Sequence, residues 1–307
     1  MDGTFRIVKK TGFMQLLVLH VIVGTPLSYK AVPTMYIFMS KRTKLCYMEV
    51  IKTILNIIMN VKKLAPYVSK IMIDFEIALW EALRQLNNER VLNNVKIAGC
   101  LFHYTQALFR KLTFYKLKPS YIHNSDTRLL LREFMALALL PHFMITKQFL
   151  RLRRICFASE GKIGECLQDF STYFMNTWIK GRWKPTDWGQ FDQLQRTNNI
   201  AESHNSKFKQ KLCYGDMTFY SVIDKLFKVS ANINVMLTSI FSYEPRVVPQ
   251  NVLRAESFLM FLWNKLTNKQ INPVVFLQSI TQLKILDTNE KAAFEDIDSD
   301  DDAFYIE

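Results

Sequence analysis

Glycine and proline are scarce in this sequence, 9 of each in 307 residues, and 49% of the chain is hydrophobic. That excludes a disordered chain and leaves enough apolar material for one large domain or two modest ones. Cysteine is scarce too: five residues, at 46, 100, 156, 166 and 213. An odd, widely spaced set lying mostly inside apolar-periodic segments implies no disulfide framework, and the thiols are expected to be reduced, as in the cytosol or nucleus. The run LLVLHVIVG at 16–24 is too short to span a bilayer, and no small-residue cleavage site follows it, so it reads as a buried strand. The sequence has no Gly-rich phosphate loop and no Ser-His-Asp, His-Glu-x-x-His or paired Cys-x-x-Cys signature. Chemistry, if there is any, must come from carboxylates.

Acids are themselves in deficit, 27 against 40 Lys and Arg, for a net charge of +13. The last 13 residues, EDIDSDDDAFYIE, hold seven of those acids and no base, so residues 1–294 carry 40 bases against 20 acids. A field of that sign favours polyanions, with nucleic acid the commonest candidate and an anionic membrane surface the other. The tail reads as a solvated acidic end.

Along the chain, TFRIV (4–8), MQLLVLHVIV (14–23) and LSYKAV (27–32) are β-rich runs punctuated by Gly12 and by Gly24-Thr-Pro26, which predicts a three-stranded meander. Helical spacing follows over 45–64. A short apolar run, KIMIDF (70–75), precedes a helical EIALWEALRQL, and VKIAGCLF (95–102) leads into HYTQALFRKL. Antiparallel strands followed by alternating helix and strand predict an α/β layout whose late strands run parallel. From about 111 to 195 the pattern is almost wholly helical, and 218–241 and 252–267 read as helices again.

Three acids stand out. Asp74 closes an apolar strand, where its carboxylate must be solvated, bonded by the following turn or bound to a cation; its ordinary role there would be the N-cap of a helix starting at Phe75 or Glu76. Asp2 lies at the start of the first strand. Glu202 follows Asn199 at capping-box spacing in RTNNIAESHN (196–205). Arg196, Lys207, Lys209 and Lys211 around it are candidates for backbone contacts to a nucleic-acid strand.

Taken together, DGTF at 2–5, MIDFEIA at 72–78 with GCLFHYTQALFRK at 99–111, and RTNNIAESHN at 196–205 resemble the transposase domain of Mutator-like elements, over roughly residues 2–212. The resemblance implies a ribonuclease-H-like mixed sheet, three antiparallel strands then parallel ones, with a large all-helical insertion and a helical C-terminal region. Its parts would be residues 1–110 as the first part of the core, 111–195 as the insertion, 196–216 as the helix with the third acid, 217–294 as the C-terminal helices and 295–307 as the acidic tail.

It further implies an Asp2, Asp74 and Glu202 triad holding two Mg²⁺ or Mn²⁺ ions for DNA strand cleavage and strand transfer at transposon ends. Cys100 and His103 match the family's Cys-x-x-His motif, with His204 nearby as a further accessory group. Zinc is not the expected ion, because a full set of four ligands is not visible. The implied partner is DNA, in the nucleus, with no membrane and with self-association left open. The chain starts one residue before its first acid, so the zinc finger that usually precedes such a domain is not in this sequence. Two other readings stay open: a domesticated or decayed, non-catalytic nucleic-acid-binding descendant, and a scaffold whose Trp178, Trp183, Trp188 and Phe191 dock a protein.

Overall fold

The computed structural model describes residues 2–4, 12–25, 28–61, 68–193, 195–197, 218–241 and 250–283. These form a mixed α/β chain that divides into two compact units: residues 1–100 with 197–247, and residues 101–196 with 248–307. The second unit thus interrupts the first in sequence, immediately after its last strand.

In the first unit, β1 (Asp2–Thr4), β2 (Gln15–Thr25) and β3 (Ser28–Met39) form an antiparallel sheet in the order β1-β2-β3. The third strand runs to Met39, well past the predicted end at 32. Pro33, which has no N–H for the ladder, is absorbed by a register shift at Leu19/His20, and the Thr34 hydroxyl donates to the Leu19 carbonyl at 3.0 Å. Helix α1 (Lys44–Asn56), capped by the Thr43 side chain, continues as a π-helical turn over Ile57–Val61.

Next come β4 (Lys70–Ile73), α2 (Ile77–Asn88) and β5 (Lys96–Gly99). β4 and β5 are parallel, with Lys70 opposite Lys96 and Ile73 opposite Gly99. The Asn87 side chain sets that register by gripping Val95 twice, donating to its carbonyl at 2.7 Å and accepting from its N–H at 3.1 Å. Helix α1 packs on α2 through Tyr47, Met48, Ile51 and Ile54 against the apolar stripe from Leu79 to Leu86. Among the described residues the strands lie in two sheets, one antiparallel triplet and one parallel pair.

The second unit is helical: α3 (Leu101–Phe114), α4 (Lys118–His123), α5 (Ser125–Ala136), α6 (His142–Ala158), α7 (Gly161–Phe174) and the short α8 (Pro185–Trp188). Later in the chain, α9 (Phe219–Phe241) belongs to the first unit, where Val222 and Leu226 pack with Leu16 and Val18 of β2. α10 (Gln250–Thr267) and α11 (Pro273–Thr281) belong to the second. Helix α11 lies beyond the last predicted helix, and its signal is Asn272-Pro273: an N-cap whose side chain accepts from Val274 and Val275 N–H, followed by proline at the first helical position.

The core of the second unit is aromatic. The Tyr104 ring stacks on Trp188 at 4.8 Å, its hydroxyl donates to the Phe134 carbonyl, and Trp188 donates to the Trp178 carbonyl at 3.0 Å. This corrects the reading of these tryptophans as docking groups: Trp178, Trp183 and Trp188 are each at most 1% exposed. An indole buries a large apolar area and needs only one acceptor, which the Trp178 carbonyl supplies to Trp188.

Candidate functional site

Asp74 follows β4 directly, at the C-terminal end of the parallel pair. The Cys100 N–H reaches back to the Ile73 carbonyl at 2.9 Å, so Asp74 and Cys100 leave the two strands at the same edge. The Asp74-Phe75-Glu76 turn then folds across that edge. Gly99 makes this geometry feasible: a Cβ there would lie inside van der Waals contact with the Phe75 ring. Phe75 in turn stacks on Trp80, ring centroids 6.2 Å apart, and the Trp80 indole donates to the Asp74 carbonyl at 2.6 Å.

The Asp74 carboxylate accepts from the Glu76 N–H at 3.2 Å. The N-cap of α2 is Glu76, with Asp74 bracing the turn that delivers it. Glu76 is the feature that pattern reading misses. Its carboxylate accepts from the Tyr47 hydroxyl at 2.7 Å and from Arg42 Nε at 3.2 Å. Tyr47 accepts in turn from the Gln15 amide at 2.6 Å, and that amide also donates to the Met39 sulfur at 3.0 Å. Gln15 and Tyr47 are fully buried and Glu76 is 9% exposed. One polar chain therefore ties β2, β3, α1 and the β4–α2 turn together.

The electrostatics are strained in one direction. Burial pushes the Asp74 carboxyl above the usual range, against the opposing Glu76 N–H and the Arg42 charge. Burial also raises Glu76, the Asp74 charge raises it further, and the bonds from Tyr47 and Arg42 pull it back only in part. The Tyr47 hydroxyl, desolvated beside Glu76, is pushed far upward and stays a donor. Two neighbouring carboxyls are oxygen donors of the type a hard divalent cation takes, once ionised. Signals for this network are present in the sequence: a glutamine inside an apolar strand run, and a second acid two residues after Asp74.

The other predicted residues fall as follows. Asp2 is the first residue of β1, opposite Val18. Cys100 is a buried thiol outside any disulfide, and His103 lies in the first turn of α3, half-buried. Arg196 is only 6% exposed; its guanidinium is paired with Glu256, donates to the Gln193 carbonyl and lies 5.7 Å from the Trp263 ring centre, while its carbonyl receives the Leu101 N–H. Arg196, a candidate phosphate contact by its place in the sequence, is instead paired internally with Glu256. Glu202, His204, Lys207, Lys209 and Lys211 lie outside the described residues. Among the described residues no group of three or more His, Cys, Asp and Glu side chains is gathered to hold a metal ion, and no helix is long and apolar enough to cross a membrane. No family model, no curated protein and no solved structure matches the chain.

Proposed function

We propose that this chain is the catalytic core of a DNA transposase of the Mutator-like type, cleaving and joining DNA strands with divalent metal ions in the nucleus. The observation that carries this reading is Asp74: a buried carboxylate at the C-terminal edge of a parallel strand pair, in a unit that the chain leaves after β5 and rejoins at residue 197, just before Glu202 in sequence. A ribonuclease-H-like core split by a helical insertion has that order. The basic body, 40 bases against 20 acids over residues 1–294, fits DNA as the partner.

Asp74 and Glu76 fit a hard cation by donor type, and because burial raises both carboxyls a cation would bind in competition with their protons. In this reading Asp2, Asp74 and Glu202 hold two Mg²⁺ or Mn²⁺ ions. When bound, such ions polarise a phosphodiester and lower the pKa of the attacking water or 3′-hydroxyl. The contribution of this chain is placement. The Glu76 N–H and Trp80 fix the turn that carries the Asp74 carboxylate, and the chain from Arg42 through Tyr47 to Gln15 holds Glu76 away from free rotation.

The test is Mg²⁺- or Mn²⁺-dependent nicking of supercoiled DNA by the purified chain, with Asp74→Asn and Glu202→Gln as variants that keep shape and remove charge. Loss of nicking in both, with folding intact, supports the reading. Nicking that is unchanged in both variants refutes it. The net positive charge favours one alternative, a non-catalytic nucleic-acid-binding descendant. That protein would show no nicking and would bind DNA with a salt dependence that both substitutions leave alone.

A further inference from the structure

Helix α6 turns an unusual face outward. Its buried side is Ile145, Phe149, Leu152 and Cys156. On the opposite side, at alternating spacings of four and three, stand Phe143, Lys147, Leu150, Arg154 and Phe157. Phe143 is 71% exposed and Phe157 50%. The 17 residues of α6 include one Lys and three Arg and no acid. A solvated helix face would be polar and mixed in charge; this one is apolar and purely basic, which calls for an acidic partner with apolar side chains of its own.

The same chain carries such a segment. Residues 295–307 combine seven acids with Phe304, Tyr305 and Ile306. The described chain ends at Leu283, whose carbonyl accepts from Arg132 of α5, directly after α11, which packs on α5 and α6. The 11 residues from 284 to 294 reach at most ~40 Å, and α6 is only ~25 Å long. The acidic segment is therefore tethered within reach of the face it matches. Tethering also decides between occupants: a short linker gives an effective concentration on the order of 1 mM, so even a weak contact prevails over a partner in solution.

We infer that the acidic C-terminal segment, residues 295–307, docks on the outer face of α6, its carboxylates against Lys147 and Arg154 and its Phe304-Tyr305-Ile306 run against Phe143, Leu150 and Phe157. Docked there, it neutralises part of the basic surface of the helical unit and competes with polyanions for it.

The experiment measures the acetylation rate of Lys147 in the full chain by mass spectrometry, with the exposed Lys116 and Lys269 as internal controls. Lys147 should react about tenfold slower than in a chain carrying Asp298→Asn, Asp300→Asn, Asp301→Asn and Asp302→Asn, the protection given by a contact of ~0.1 mM affinity at an effective ~1 mM. Phe143→Ala with Phe157→Ala should release Lys147 to a similar extent, and so should 1 M salt, where the screening length is ~3 Å. Equal Lys147 rates in the parent and the tail variant overturn the proposal, as does protection that the alanine pair leaves intact. Protection that rises with protein concentration places the tail on a second copy and overturns it. Protection that arises only when a single-stranded oligonucleotide or anionic vesicles are added assigns the face to them and overturns it equally.

Discussion

Replacing Tyr47 with Phe removes one oxygen from the centre of the buried polar chain. That oxygen donates to Glu76 at 2.7 Å and accepts from Gln15 at 2.6 Å. Losing the bond to a charged carboxylate costs about 1.5–3 kcal/mol. The Gln15 amide, fully buried, is then left with only the Met39 sulfur, which adds roughly 1 kcal/mol. Because the two effects share partners they do not add fully, and a total of about 2–4 kcal/mol is expected. Against a whole-protein stability of about 5–15 kcal/mol that is a large change.

The readout must report on the first unit by itself, since the chain has two. Trp80 serves, as the one tryptophan among residues 1–100 and 197–247 and bonded directly to the Asp74 carbonyl. With 5-fluorotryptophan in all five positions, urea unfolding followed at the Trp80 resonance should shift in Tyr47→Phe while the resonances of Trp178, Trp183 and Trp188 keep their own midpoints. A double-mutant cycle with Glu76→Gln should give a coupling of about 1.5–3 kcal/mol. A cost below about 0.5 kcal/mol, within the range of ordinary surface substitutions, together with zero coupling, would refute the claim that this chain of bonds organises the site.

Three further outcomes follow from the same structure. Gly99→Ala forces a methyl into the Phe75 ring and should destabilise the first unit by about 1–3 kcal/mol, the usual cost of overpacking, with much of the loss restored in Gly99→Ala/Phe75→Leu; chemical denaturation of the single and double variants checks both. Asp74→Asn removes a charge that burial disfavours while keeping an oxygen to accept from the Glu76 N–H, so in metal-free buffer the variant should melt no lower than the parent, whereas added Mg²⁺ or Mn²⁺ should raise the melting temperature of the parent alone. Alkali should destabilise the chain, because burial pushes the Cys156 thiol up to about 12 and the Tyr36 hydroxyl up to about 12. Over the pH range from their ordinary values near 9 and 10 to about 12 the unfolded chain releases protons that the folded chain keeps, so stability falls as pH rises through that window; Cys156→Ala should flatten the fall measured by urea midpoints at pH 8, 9 and 10.

Local rules made much of the fold legible. β4, α2 and β5 emerge from short apolar runs and helical spacing to within three residues, since each is set by its own side-chain period. The extra length of β3 was not legible, because Pro33 reads as a breaker until a bulge on the neighbouring strand accommodates it, and that is a property of two strands and not of one. The site divides along the same line. Asp74 could be singled out because an acid ending an apolar strand is conspicuous on its own. Gln15, Tyr47 and Glu76 each look ordinary alone: an odd glutamine, a core aromatic, a first-turn acid. Their meaning comes from contacts between positions 29 and 32 residues apart (Tyr47–Glu76 and Gln15–Tyr47), and no periodicity within a single segment encodes such a set.

The same contrast explains why a buried, hydrogen-bonded pair of acids is informative here. A carboxylate kept only to brace a turn would do as well half-solvated, where the N–H of Glu76 could satisfy it at little cost. Placing a second acid within electrostatic reach adds a like charge to a buried turn, a cost that the bonds from Tyr47 and Arg42 to Glu76 offset only in part. A bound cation is one agent that reverses that sign, and divalent-ion dependence of the Trp80 unfolding midpoint separates a site strained for binding from one that is merely buried: the first rises with Mg²⁺ or Mn²⁺ in the parent and stays flat in Asp74→Asn, and the second is flat in both.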